Sequence, residues 1–186
     1  MELFEKTLDS TLIFDGKVVH LYKDKVGLPD GSTSFREYVK HIGAVCVIPV
    51  TRENEVILVR QYRYAVGEIL TEIPAGKLDF EGEDPLSAAK RELLEETGAV
   101  AENVVPLGIY YGSPAIMGEK IHMYLATGLS FKEQHLDDGE FLDVIKLPLA
   151  DAVKSALDGT FRDGKTQSAI LRAAAILSPE IFTQLK

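Results

Sequence analysis

The chain has 186 residues, 46% of them hydrophobic and 26% charged, with a formal net charge of −9. The length allows one domain, or one domain plus a small appendage, with a sizeable core, and the composition is that of an ordinary globular protein. The acidic balance argues against a protein that tracks nucleic-acid phosphates, and it means that an anionic substrate would need local help from arginines or a metal ion.

The first residues, MELFEKTLDS, are charged and lack the apolar stretch of a signal peptide, and no apolar run reaches the length of a membrane span. LIF, then DG, then KVVHLYKDKV predicts a hairpin. LPDGS, with Pro29, Asp30 and Gly31, is a second turn, and SFREYVKH resumes an alternating pattern. AVCVIPV (44–50) reads as a strand buried on both faces, which makes Cys46, the single cysteine, a small buried hydrophobe rather than a nucleophile. With no intramolecular disulfide possible, a reducing cytoplasm is the expected setting. VILVRQYR (56–63) and EILTEIPAG (68–76) are the next two expected strands, the second ended by Pro74 and Gly76.

A helix follows the loop KLDFEGE. Asp84 suits its N-cap, Pro85 its first position, Leu86, Ala89 and Leu93 its apolar stripe, and Gly98 its end. Glu92, Glu95 and Glu96 fall on one side, beside that stripe. Like charges at this spacing repel, and the C-terminal end of a helix disfavours anions. A hard divalent cation such as Mg²⁺ or Mn²⁺, which takes carboxylate oxygens, would resolve the conflict; a solvated acidic face is the alternative. Further strands are expected at 104–111, 120–126 and 141–147, then helices in LADAVKSALDG and KTQSAILRAAAIL and a short turn from SPE. Strands, helix, strands, helices make a mixed α/β or α+β layered fold. Residues 1–41 form the candidate N-terminal β subdomain and 42–186 the main domain. His41 and His122 lack metal-ligand spacing and read as structural.

Gly76, Glu83 and then Arg91-Glu92-Leu93-Leu94-Glu95-Glu96-Thr97-Gly98-Ala99 resemble the Nudix box, in which a glycine and a spaced glutamate precede R-E-U-x-E-E-x-G-U, U being a bulky aliphatic residue. The loop KLDFEG is one residue longer than the family pattern, and Ala99 is smaller than the usual last residue. The resemblance implies an α/β/α sandwich with a mixed sheet, and hydrolysis of a nucleoside diphosphate linked to another moiety. It implies that Glu92 and Glu96 are the principal ligands of two or three ions, with Glu83, Glu95 and the Ala75 carbonyl completing the set. Arg91 would hold the carboxylates through ion pairs.

YYGSPAIMGEKIHMYLA (110–126) is similar to the segment of the ADP-ribose and nucleotide-sugar pyrophosphatase group in which a proline stands about sixteen residues beyond the box. Here it is Pro114, followed by Glu119, with Ala115 in place of the usual glycine. VRQYR, TEIPAGK and REYVKHIGAV resemble other segments of that group. The group implies that Arg63, and secondarily Arg36, contact substrate phosphate. It implies that Glu140, with Asp138 and Asp137 as fallbacks, is a base on a glycine-bearing loop, and that the N-terminal strands pair in a homodimer. Tyr22, Phe35 and Tyr38 are candidates either to stack on a base or to fill the core. The expected reaction is metal-dependent conversion of ADP-ribose to AMP and ribose 5-phosphate. Other nucleoside diphosphate sugars such as GDP-mannose are the alternative, and a non-catalytic nucleotide-sugar-binding domain is a more distant one. Neither a nucleic-acid nor a membrane partner is expected.

Overall fold

The computed structural model describes residues 3–183, in two compact units, Met1–Gly43 with Tyr111–Lys120, and Ala44–Tyr110 with Ile121–Lys186. In the first, β1 (Lys6–Asp15), β2 (His20–Gly27) and β3 (Thr33–Lys40) form an antiparallel sheet in that order. The hairpin foreseen around Asp15-Gly16 joins β1 to β2. Strand β1 is exposed along its whole length, and Leu12, Ile13 and Phe14 are among its exposed residues. The loop Tyr111–Lys120 belongs to this unit, which the sequence did not suggest. It is held there by hydrogen bonds from Val39 N to Ile116 O and from Gly118 N to Val39 O, 2.8 and 2.9 Å.

The second unit holds two sheets and three helices. A mixed sheet has the order β7-β4-β9-β8, built from β4 (Ala44–Pro49), β7 (Ala75–Lys77), β8 (Ala99–Tyr110) and β9 (Ile121–Phe131). Within it β4 and β9 run parallel, and the other pairs are antiparallel. An antiparallel sheet has the order β10-β5-β6, built from β5 (Glu55–Arg63), β6 (Glu68–Glu72) and β10 (Leu142–Pro148). Successive side chains of a strand face opposite ways. Accordingly Val45 and Val47 of the fully buried β4 pack with Ala88, Ala89 and Leu93 of helix α1 (Pro85–Thr97). Cys46 and Ile48 enter the larger core with Leu58, Met123 and residues of helices α2 (Leu149–Leu157) and α3 (Gly164–Leu177). Burial pushes the Cys46 thiol up to about 12, so it stays an inert core residue.

The stretch 68–76 is two strands in different sheets, not one. Pro74 has no N–H for a ladder, and the chain changes sheets across Ile73-Pro74. The Ile73 N–H donates to Thr166 Oγ1 at 2.9 Å, and the Pro74 carbonyl accepts from Val47 N at 2.9 Å. Strands β8 and β9 are also longer than expected. β8 begins directly after Gly98, and a bulge between Pro106 and Gly108 absorbs the proline.

Helix α1 has the ends its sequence specifies. Asp84 accepts from Ser87 N at 2.9 Å, and Gly98 takes the left-handed conformation with φ 69°. The terminal carbonyls are satisfied by the segment after β9, where Lys132 N donates to Gly98 O at 2.8 Å and His135 N to Glu95 O at 3.1 Å. A Cβ on Gly98 would lie 2.5 Å from the Lys132 carbonyl. Gly98→Ala therefore meets both the left-handed penalty and a backbone clash, and should destabilise the fold by about 2–4 kcal/mol in urea denaturation. A loss below about 0.5 kcal/mol would show that this terminus is not held as described.

Candidate active site

Helix α1 does not carry all its glutamates beside the apolar stripe, as its sequence suggested. Glu96 is among the most buried side chains of the protein, at 1% exposure, and Glu92 is largely covered. The helix packs so closely on β4 and β7 that this face reaches the backbone of the sheet edge. Glu96 Oε2 accepts from Ala75 N at 3.1 Å, while Oε1 is buried without a hydrogen-bond partner. A Cβ on Gly76 would stand 2.0 Å from Glu92 Cδ. Only glycine allows β7 and Glu92 to approach so closely.

Arg91 gathers the remaining acids. Its Nη1 donates to Glu92 Oε1 at 2.8 Å and to Glu95 Oε2 at 3.1 Å. Nη2 stands 3.6 Å from Glu83 Oε1 and Nε 3.4 Å from Asp79 Oδ2, which are ion-pair rather than hydrogen-bond distances. Asp79, absent from the sequence-based set, comes from the lengthened loop, and its N–H donates to Glu83 Oε2 at 2.7 Å. Among the described residues no three acid, histidine or cysteine side chains already converge on a point where an ion could sit; the arginine organises them instead.

Crowding of carboxylates in a covered site raises their pKa values. Burial, then Glu140 and Glu92, push Glu96 up to about 8. Burial likewise lifts Glu92 to about 7 against the lowering effect of Arg91, with Glu95 and Glu140 adding to the rise. Glu140 thus lies within electrostatic reach of both box glutamates although it comes from the loop before β10. It also lines a cavity of about 400 Å³ with Arg60, Gln61, Tyr62, Leu136 and Phe141. The neighbouring Gly139 has φ +86° and open space around it.

Arg63 is already engaged. Its Nε and Nη2 donate to Glu72 Oε1 and Oε2 at 2.7 and 2.8 Å, a bidentate pair that leaves Nη1 as the unused corner of the fork. Glu72 is 1% exposed. Burial opposes its ionisation, but Arg63 and Lys165 overcome that and hold it at about 2. The pairing of Glu72 with Lys165 across the sequence carried no motif that would have announced it.

The remaining candidates lie in the first unit. Arg36 donates to Glu5 through Nε and Nη2 at 2.8 and 2.5 Å, and Nη1 bonds the Phe35 carbonyl at 2.9 Å. Glu119 stands 3.7 Å from His41 Nε2, and Pro114 lies in the loop Tyr111–Lys120. Tyr22 and Tyr38 stack on each other at 5.8 Å, and Phe35 is exposed beneath Lys23.

The NUDIX domain model matches residues 40–167. The chain is 46% identical to the methanol dehydrogenase activator of Bacillus methanolicus, over 89% of this chain and 90% of that one. It is 44% identical to the ADP-ribose pyrophosphatase of Bacillus subtilis, over 90% and 91%. The fold superposes on the crystal structure of an ADP compounds hydrolase with a TM-score of 0.83 and 22% identity, covering 97% of this chain and 98% of the other. The chain belongs to the NUDIX domain family and is a Nudix hydrolase.

The shifted acids give the fold a pH dependence. A carboxyl whose folded pKa is raised contributes stability below its ordinary value near 4.5, and that contribution is lost as pH rises through the folded value. Without divalent cations, stability should therefore fall between about pH 5 and pH 8. Glu96→Gln should raise the melting temperature at pH 8 and change it little at pH 5. Glu72 acts oppositely, stabilising above 4.5 and losing that effect as pH falls toward about 2. Equal melting shifts for Glu96→Gln at both pH values would contradict the burial of an ionising carboxylate.

Proposed function

We propose that this hydrolase cleaves the diphosphate bond of ADP-ribose, giving AMP and ribose 5-phosphate, and that it works with two or three Mg²⁺ or Mn²⁺ ions. The observation that carries the reading is the seating of Glu92 and Glu96 of one helix on the strand edge at Ala75-Gly76, with Glu140 of a distant loop within electrostatic reach of both. The substrate is supported by the 44% identity to an enzyme named for it.

The donor set suits a hard divalent cation on three grounds. Glu96 Oε1 is a buried carboxylate oxygen without a donor, the Gly76 cradle admits Glu92 to the backbone, and both acids repel each other in their present surroundings. Glu92 and Glu96 would be the principal ligands, with Glu83, Glu95 and the Ala75 carbonyl beside them. When bound, such ions supply screening of phosphoryl charge and acidification of water. Arg91 keeps Glu83, Glu92 and Glu95 oriented, and so acts through them. Hydrolysis joins a water oxygen to one phosphorus while the bridging P–O bond breaks toward the other phosphate. Glu140 takes the proton of the attacking water, and the open geometry at Gly139 suits a loop that closes on substrate. Arg63, through Nη1, contacts the diphosphate. Arg36, Pro114 and Glu119 are the further candidates for substrate binding, and residues 1–41 the candidate dimerisation and clamp subdomain. The exposed apolar residues of β1 support a homodimer through the N-terminal strands, and the lone buried Cys46 accords with a reducing cytoplasm.

Incubation with Mg²⁺ and ADP-ribose, GDP-mannose or UDP-glucose, with and without EDTA, should yield AMP from ADP-ribose, abolished by EDTA. Preferential cleavage of GDP-mannose would overturn the substrate, and no cleavage of any would favour a binding domain. Glu96→Gln should lower turnover by about 10²-fold or more while the chain stays folded; near-normal turnover would remove Glu96 from the site.

Glu140→Gln should reduce kcat with little change in KM, and a pure KM effect would make Glu140 a binding residue instead.

A second reading rests on the 46% identity to the methanol dehydrogenase activator, namely that the chain stimulates an alcohol-oxidising dehydrogenase. An unchanged dehydrogenase rate on its addition excludes this.

A further inference from the structure

We propose that Lys165, at the start of helix α3, is a positioning residue that holds Arg63 for the substrate diphosphate by sharing the charge of Glu72. The inference rests on the reading above that Arg63 contacts substrate.

Four charged groups are tied together here. Glu72 receives Arg63 through two nitrogens, and its Oε2 also receives Lys165 Nζ. Lys165 in turn lies 3.1 Å from Asp163 Oδ1. Two cations thus face two carboxylates, with Glu72 and Lys165 largely removed from water. Such a cluster is costly to bury, and apolar residues of similar volume would serve stability as well or better. What the ions add is direction. A half-buried arginine on a strand end samples many rotamers, whereas a bidentate carboxylate fixes the plane of its guanidinium. Glu72 can do so without drawing Arg63 wholly inward because Lys165 neutralises part of its charge. If Lys165 lost its charge, Glu72 and Asp163 would face one cation, and Arg63 would serve as a buried counter-ion.

The same turn of α3 also sets where this fork stands relative to the box. Asp163 caps α3 by accepting from Thr166 N at 2.9 Å, and Thr166 Oγ1 accepts from Ile73 N, the residue after Glu72. From Ile73 the chain runs through Pro74 to Ala75, whose N–H holds Glu96. One helix start therefore grips both the arginine's carboxylate and the strand edge that seats the box glutamates.

The test measures steady-state kinetics on ADP-ribose with saturating Mg²⁺ for Arg63→Ala, Lys165→Met, Lys165→Arg and the double variant Arg63→Ala/Lys165→Met. Lys165→Met should raise KM about tenfold with kcat within about threefold, and Lys165→Arg should restore most of the loss. In the Arg63→Ala background Lys165→Met should add less than about twofold, because the residue it positions is gone. Should Lys165→Met fail to fold, Lys165→Gln, which keeps polarity without charge, takes its place. If Arg63→Ala leaves KM unchanged, the substrate role of Arg63 fails and the inference falls with it. If Arg63→Ala raises KM but Lys165→Met does not, or multiplies the loss in the double variant, the inference alone is overturned and Lys165 is merely structural.

Discussion

The burial of a carboxylate against the backbone of a strand is the constraint on which this site depends. Glu96 is excluded from water, receives one backbone N–H and leaves one oxygen without a donor. An isolated group of this kind would be eliminated from a core selected for stability alone. Here the rest of the architecture is arranged to keep it. Helix α1 is capped at both ends, its leucine and alanines are locked on β4, and Gly76 leaves open the space that the Glu92 carboxylate occupies. Instability in the acids is thereby confined to a rigid frame.

Arginine supplies the organisation that the acids lack. Arg91 reaches four carboxylates, and Arg63 one, but they act differently. Arg91 is surrounded by groups whose charges it only partly balances, and two of its nitrogens are buried without a hydrogen bond. Arg63 sits in a closed network with Glu72, Lys165 and Asp163 in which every charge has an opposite neighbour. The contrast follows from composition. The box gathers its acids from one helix and the loop just before it, whereas the second network draws its charges from two strands and a helix start.

Much of this was legible in the residues. Alternating or continuous apolar runs marked β4 and β5, and Asp84, Pro85 and Gly98 set the bounds of α1, because caps and φ preferences are local properties. The break inside EILTEIPAG was not legible as a change of sheet. Pro74 forbids ladder pairing, but what receives the Ile73 N–H is Thr166, far along the chain. Asp79 was passed over because a lone aspartate in a lengthened loop has no pattern until the loop folds back on Arg91.

The sequence by itself determined which side chains α1 carries and in what order, since helical spacing puts Glu92, Glu95 and Glu96 on one side wherever the helix lies. It also determined membership of the NUDIX domain family, whose pattern is written in residue identities and their spacing along the chain. Tertiary structure alone decided that Glu96 is buried while Glu95 is not, that Glu92 occupies the space above Gly76, and that Glu140 comes within reach of both. It alone decided that Arg63 meets a glutamate that a lysine also pairs with, rather than open solvent. Those outcomes depend on how closely separate elements approach, and approach distance is set by packing across the core rather than by any residue's neighbours in the chain.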